Sequence, residues 1–199
     1  LRVGDALVDP WPFAGAAVVI GNPPFLSQLH DGTARDQARR RALSARWPEV
    51  GGYADDAAAF LLAATEHVGD GGVVALVQPA SMLSARDAEP IRRRLLDTAA
   101  PVGLWIDGGR QFSASVDTVT VVVRKGDAPG PVRRTRGVPP QPLTAGAVDD
   151  AHSWASLLLV DTPTVAVEEL VSGGTLGDVA AVTAGFRDQF YCLRGAVAD

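Results

Sequence analysis

The sequence predicts an α/β fold built on a mostly parallel sheet. Short apolar runs alternate with segments of helical period over residues 1–125. These runs stop at Pro or Gly, as buried strands do. Composition agrees. Of 199 residues, 47% are hydrophobic and 21% are charged, which fits a chain with a real core and argues against disorder.

Residues 1–9 read as the end of a strand, Leu1-Arg2-Val3, and a loop, Val3-Gly4-Asp5-Ala6-Leu7. Ala16-Ala17-Val18-Val19-Ile20-Gly21 is the next strand. Residues 26–52 are polar and Arg-rich, with a helix over Ala34 to Arg46. Residues 54–68 place Ala57, Phe60, Leu61, Ala64 and Val68 at helical spacing, and Gly69, Gly71 and Gly72 stop that helix. Val73 to Val77 is a buried strand ended by Pro79. Residues 86–98 form an amphipathic helix with Ile91, Leu95 and Leu96 inward, and Pro90 falls in its first turns, where proline is tolerated. Val102 to Ile106 and Val116 to Arg124 are two strands joined by a Gly-rich loop. Composition changes at Gly126. Pro129, Pro131, Pro139, Pro140 and Pro142, with several glycines, make residues 127–164 read as a linker crossing the surface. A new unit begins near Val165.

The formal net charge of −5 is the wrong sign for binding nucleic acid by bulk electrostatics, so any such binding requires local positive charge. Arginines do cluster: Arg35, Arg39, Arg40, Arg41 and Arg46; Arg92, Arg93 and Arg94; Arg133, Arg134 and Arg136. Solvated helix faces and phosphate contacts both fit such groups. Cys192 is the only cysteine, which excludes an intrachain disulfide and a Cys-based zinc site. His30, His67 and His152 are scattered and read as surface or loop residues, so no metal is expected. No apolar run is long enough to span a bilayer and no signal peptide is visible, so the expectation is a cytoplasmic protein without membrane contact.

Asn22-Pro23-Pro24-Phe25 stands directly after the 16–21 strand. Two prolines stiffen the loop and remove two backbone donors, while their carbonyls remain acceptors. The Asn22 amide oxygen, the Pro23 carbonyl and the Phe25 ring together suit a planar ring bearing an amino group: two acceptors for its two N–H groups and a face to stack on. An ordinary turn at the end of a strand uses the same residues.

This tetrapeptide resembles the signature of the S-adenosylmethionine-dependent DNA adenine-N6 methyltransferases of restriction-modification systems. The resemblance extends over residues 1–125. Gly4-Asp5-Ala6-Leu7 resembles the segment whose acidic residue contacts the cofactor's adenine, which assigns Asp5 to cofactor binding. The run from Tyr53 to Phe60 resembles the helix behind the active site, with Phe60 in the core and Asp55 and Asp56 as first-turn acids. Gly71 to Leu83 resembles the following strand and its exit. Phe112, ahead of the Val119 to Val123 strand, resembles the late motif whose aromatic residue packs against the flipped base. Leu176 to Leu193 is similar, more weakly, to the opening of a target-recognition domain.

The resemblance implies catalytic roles for Asn22, Pro23, Pro24 and Phe25, substrate binding by Phe112, and S-adenosyl-L-methionine as cofactor. The partner is double-stranded DNA with a flipped adenine, with a restriction or specificity subunit as a further partner. The implied fold is an incomplete Rossmann-like methyltransferase sheet made of its later strands. The 18–20 and 73–77 strands are central and parallel, and the strands near Val102 and Val119 form an antiparallel pair at one side. The family's Gly-rich cofactor loop and ribose-binding acid have no counterpart here. The expectation is therefore an N-terminally truncated catalytic part over residues 1–126, a linker over 127–164 and the start of a target-recognition domain over 165–199. By itself this chain should bind the cofactor weakly and be inactive, and the edge of the 18–20 strand should lie open. Methyltransferases acting on protein glutamine or RNA guanine also need two acceptors for an NH₂ group, and a non-catalytic DNA-binding module is a further reading.

Overall fold

The computed structural model describes residues 3–25, 37–51, 54–106, 117–148 and 150–159. Strand β1 (Ala16–Gly21) leads to α1 (Gln37–Arg46) and α2 (Asp56–His67), then β2 (Val68–Pro79), α3 (Glu89–Leu96), β3 (Ala99–Ile106), β4 (Thr118–Lys125), β5 (Pro131–Arg136) and β6 (Gln141–Ala147). Short 3-10 turns cover Ala80–Leu83, Arg86–Ala88 and Ala155–Leu158. Leu1–Asp161 forms one compact unit; Thr162–Asp199 is assigned to a second, which lies outside the described residues.

The strands form one mixed sheet in the order β1-β2-β4-β3-β5-β6. β1 and β2 are parallel neighbours, with Val18 opposite Val73 and Gly21 opposite Leu76. β4 is antiparallel to both β2 and β3. The expected antiparallel pair is thus present, and two further strands continue the sheet beyond it. β1 is an edge strand among the described residues rather than a central one. Its Val18 and Ile20 side chains are 54% and 78% exposed.

Alternation fixes which face is buried. Val74, Leu76, Leu104, Ile106, Val119, Val121, Val123 and Val132 point into the core. There they meet α2, whose Ala57, Ala58, Ala59, Leu61, Leu62, Ala63 and Ala64 are all buried, and α3 through Ile91 and Leu95. Asp55 caps α2 by accepting from Ala57 N at 2.8 Å. At the other end Lys125 Nζ donates to the carbonyls of Val68 (2.8 Å) and Glu66 (3.2 Å), placing a cation where the helix dipole favours one. β2 begins at once, earlier than the glycine stop implied. Gly71 takes φ +74, and its neighbours form an irregular start before the β1 pairing settles at Val73.

Four readings are corrected. Residues 3–9 form a turn, with Val8 N and Asp9 N both donating to Asp5 O, and Val3 is fully exposed rather than part of a strand. The stretch 127–164 holds β5 and β6 instead of simply crossing the surface. Apolar alternation could not reveal β5 because one of its inward residues is Arg134, which is buried and donates to the carbonyls of Thr144, Leu157 and Leu159. The arginine groups are not uniformly solvated. Arg92 is fully buried and donates to the carbonyls of Met82, Ala85, Ala151 and His152. His67 is half-buried against Trp11, with ring centroids 4.7 Å apart.

Arg92 ties Ala151 and His152 to α3, and Arg134 ties Leu157 and Leu159 to β5; Val148, Trp154 and Leu157 are buried in this stretch. A buried guanidinium is tolerable here because carbonyl acceptors meet its N–H groups. Replacing Arg92 by Ala leaves several of those carbonyls without a donor. We expect a loss of about 3 kcal/mol of stability, read as a lower urea midpoint.

Candidate active site

β1 ends after Gly21, where the two prolines deny the next ladder bonds. Asn22 and Pro24 are exposed, and Pro23 and Phe25 are half-buried. The same end of the sheet carries the carboxyl ends of β2 and β3 and the start of β4: Pro79 faces Thr118, and Ile106 faces Val119. Ala80 N donates to Asp117 O at 2.8 Å and closes that corner. Asn22 therefore lies at the same end of the sheet as the start of β4, two strands away. Phe112 lies outside the described residues, in the connection between Ile106 and Asp117.

Asp5 sits in a tight turn. Its Oδ1 accepts from Leu7 N at 2.9 Å, and its own N–H donates to Asp9 Oδ2 at 2.9 Å. A Cβ at Gly4 would meet Asp9 Oδ2, so a larger residue there would push the Asp9 side chain aside. Asp5 Oδ2 accepts from Arg39 Nε at 2.5 Å, and Arg39 Nη1 donates to Asp56 Oδ2 at 2.5 Å. Asp56 is completely buried in the first turn of α2. One residue on, Ala57 O accepts from the buried Gln78 Nε2 at 2.9 Å. Gln78 lies at the carboxyl end of β2, beside the end of β1. This chain of bonds brings Asp5 to the Asn22 end of the sheet.

Burial disfavours the charged form of Asp5. The Arg39 hydrogen bond, the Leu7 N–H and the Arg39 charge outweigh it, holding the carboxyl below its ordinary 3.8. Arg39 is desolvated too, but its two carboxylate partners raise its pKa. The Leu7 N–H, Arg39 Nε and the Val8 N–H all act on the Asp5 carboxylate, which has roughly four acceptor positions. Asp5 also lines an open cavity of about 630 Å³ with Val3, Trp11 and Phe13. Trp11 packs 5.5 Å from Phe13, and its Nε1 donates to Ala6 O. The cavity thus offers an ionised acceptor beside apolar and aromatic walls.

Sequence reasoning did not single out Arg39 or Gln78, and it read Asp56 as a helix-start acid. The available signals were an acid pair at a helix start and a glutamine in an otherwise apolar strand.

The profile of the N-6 DNA methylase family matches residues 1–106, and the chain belongs to that family. The solved structures it resembles include the type IIG restriction endonuclease BpuSI, at 25% identity and TM-score 0.54, with 67% of this chain and 16% of that one covered. The type I restriction-modification methyltransferase subunit from Streptococcus thermophilus is 24% identical, with TM-score 0.50 and coverage of 66% and 29%. The type IIL restriction-modification enzyme MmeI, solved in complex with DNA, is 16% identical, with TM-score 0.50 and coverage of 67% and 19%. The chain spans less than a third of the length of each. No curated protein matches it.

Because the Asp5 pKa is depressed on folding, its contribution to stability is complete above about pH 5 and is lost as pH falls through the folded value. Asp5→Asn should therefore destabilise the protein at pH 7 and make a smaller difference at pH 2. Asp5 is 35% exposed, and solvent screening keeps the difference at about 1 kcal/mol or less. Urea unfolding of both proteins at the two pH values checks this.

Proposed function

We propose that this chain carries the base-binding part of an S-adenosylmethionine-dependent methyltransferase acting on the N6 amino group of adenine in DNA. The observation that carries the reading is Asn22-Pro23-Pro24-Phe25 at the carboxyl end of a parallel strand, within residues belonging to the N-6 DNA methylase family.

The donor set fits the cofactor. The ionised Asp5 carboxylate suits the amino group of a purine, and the aromatic wall beside it suits the ring. S-adenosylmethionine, when bound, supplies an electrophilic methyl group. The remaining work falls to this chain's residues. The Asn22 side-chain oxygen and the Pro23 carbonyl accept the two N6–H groups of an adenine flipped out of the duplex. These bonds favour a pyramidal nitrogen and localise its lone pair, which is otherwise spread into the ring. Pro24 keeps the loop stiff, so the acceptors are in place before the base arrives. Phe25 stacks on the base and offsets lost duplex stacking, worth about 1–3 kcal/mol. Phe112 is the second aromatic contact in this reading.

In this reading residues 165–199 belong to a target-recognition domain, and a restriction or specificity subunit is the proposed protein partner. The expected compartment is the cytoplasm; no helix among the described residues is long and apolar enough to cross a membrane.

Single-turnover methylation by the full-length protein tests the reading. Asn22→Ala should slow transfer about 10²–10³-fold with cofactor affinity unchanged, because the lost acceptor matters most as N6 changes geometry. Phe25→Ala should both weaken capture of the adenine duplex and slow transfer. Near-native turnover by Asn22→Ala, or methylation of glutamine peptides or RNA guanine in place of the duplex, would overturn it.

A further inference from the structure

We infer that Arg39 is a positioning residue for the cofactor: it fixes the Asp5 carboxylate from the far side and ties it through Asp56 to the first turn of α2. This inference rests on the methyltransferase reading and adds a residue that reading does not use.

The geometry favours Arg39 over its neighbours. Arg39 is the residue that joins two carboxylates from separate segments, with Nε on Asp5 and Nη1 on Asp56, both at 2.5 Å. Its guanidinium is a planar fork, so holding both partners sets its own plane and thereby the orientation of each carboxylate. The two ends differ. Asp56 is fully buried and anchored in a helix, whereas Asp5 is one-third exposed and borders the cavity. Rigidity therefore passes from the buried end to the cavity end. Leu7 N fixes Oδ1 of the same carboxylate, so both Asp5 oxygens are oriented while lone pairs remain for a ligand N–H.

Arg39 also keeps Asp5 ionised, an acceptor with no proton of its own. Among the described residues, the charged groups around Asp5 are Arg39 from α1, Asp56 from α2 behind it, Asp9 on the same turn, and Arg46, whose Nη1 donates to Leu7 O at 3.3 Å. Without Arg39, the nearby Asp9 and Asp56 carboxylates and the burial of Asp5 all favour protonation. A ligand amine would then lose an acceptor as pH falls.

The test is a double-mutant cycle in the full-length protein, using Arg39→Ala, Asp5→Ala and the double variant. Calorimetry reads the affinity for S-adenosylhomocysteine, and single-turnover methylation at saturating cofactor reads the chemical step. Arg39→Ala should weaken binding about tenfold or more, with the saturated rate within about threefold of wild type. The double variant should bind no worse than Asp5→Ala, because an orienting residue has nothing left to orient. Arg39→Lys should recover part of the affinity. In Arg39→Ala, but not in wild type, affinity should fall between pH 7 and pH 5. Additive losses in the cycle, or a loss in Arg39→Ala that stays the same between pH 7 and pH 5, would mean that Arg39 only supports the fold and would overturn the inference. A wild-type protein that binds no S-adenosylhomocysteine would instead overturn the methyltransferase reading beneath it.

Discussion

Close packing of α2 on β2 is the constraint on which the rest of the structure depends. The helix face against the sheet is built from Ala57, Ala58, Ala63 and Ala64 with Leu61 and Leu62, all buried. Small side chains let the helix lie near the strand, so the connection from β1 returns to place β2 beside it in parallel. Parallel pairing puts both carboxyl ends at one end of the sheet, where open α/β sheets form their sites. Gln78 pins the helix start to the end of β2, and Lys125 pins the helix end to β4. The helix start then serves as the base of the Asp56–Arg39–Asp5 bridge. Without that packing, Asn22 and Asp5 would have no common frame.

The arginines divide by partner rather than by position in sequence. Arg92 and Arg134 are buried on backbone carbonyls, tying Ala151 and His152 to α3 and Leu157 and Leu159 to β5. Arg39 is half-buried between carboxylates. Arg46 pairs with Glu66 at 3.1 Å and stacks 4.1 Å over Trp47. Arg93 lies on the surface with Glu89. An exposed pair of that kind contributes little, while a buried guanidinium is tied to its acceptors by the cost of leaving them unmet. A chain with one lysine and a net charge of −5 thus uses several arginines as internal fasteners.

The sheet has two unlike faces. One is covered by α2, α3 and residues 148–158. On the other, Val73, Ala75, Val77, Val102, Trp105 and Val122 are less consistently buried, and Val18 and Ile20 are more open still. The buried face sets the register, since a slip by one residue would turn Val74, Leu76 and Val121 outward. That register places the end of β1 level with the carboxyl-terminal part of β2.

Local chemistry alone determined much of this protein. The apolar runs of β2, β3 and β4 and the helical period of α2 and α3 are visible in the sequence because each buries one face of plain hydrocarbon; β1 is visible as an apolar run although its Val18 and Ile20 are exposed. The candidate tetrapeptide is visible because two adjacent prolines after a strand are rare punctuation. Tertiary structure decided what depends on partners distant in sequence. β5 and β6 escaped notice because Arg134 occupies an inward position, and only the carbonyls of Thr144, Leu157 and Leu159 make that burial tolerable. The place of β4 between β2 and β3 arises from long-range pairing, which no local pattern encodes. Asp5 was legible as an acid in a turn. Its ion pair with Arg39, 34 residues away, arises only when α1 and α2 meet that turn, because Coulomb attraction acts on distance in space and not along the chain.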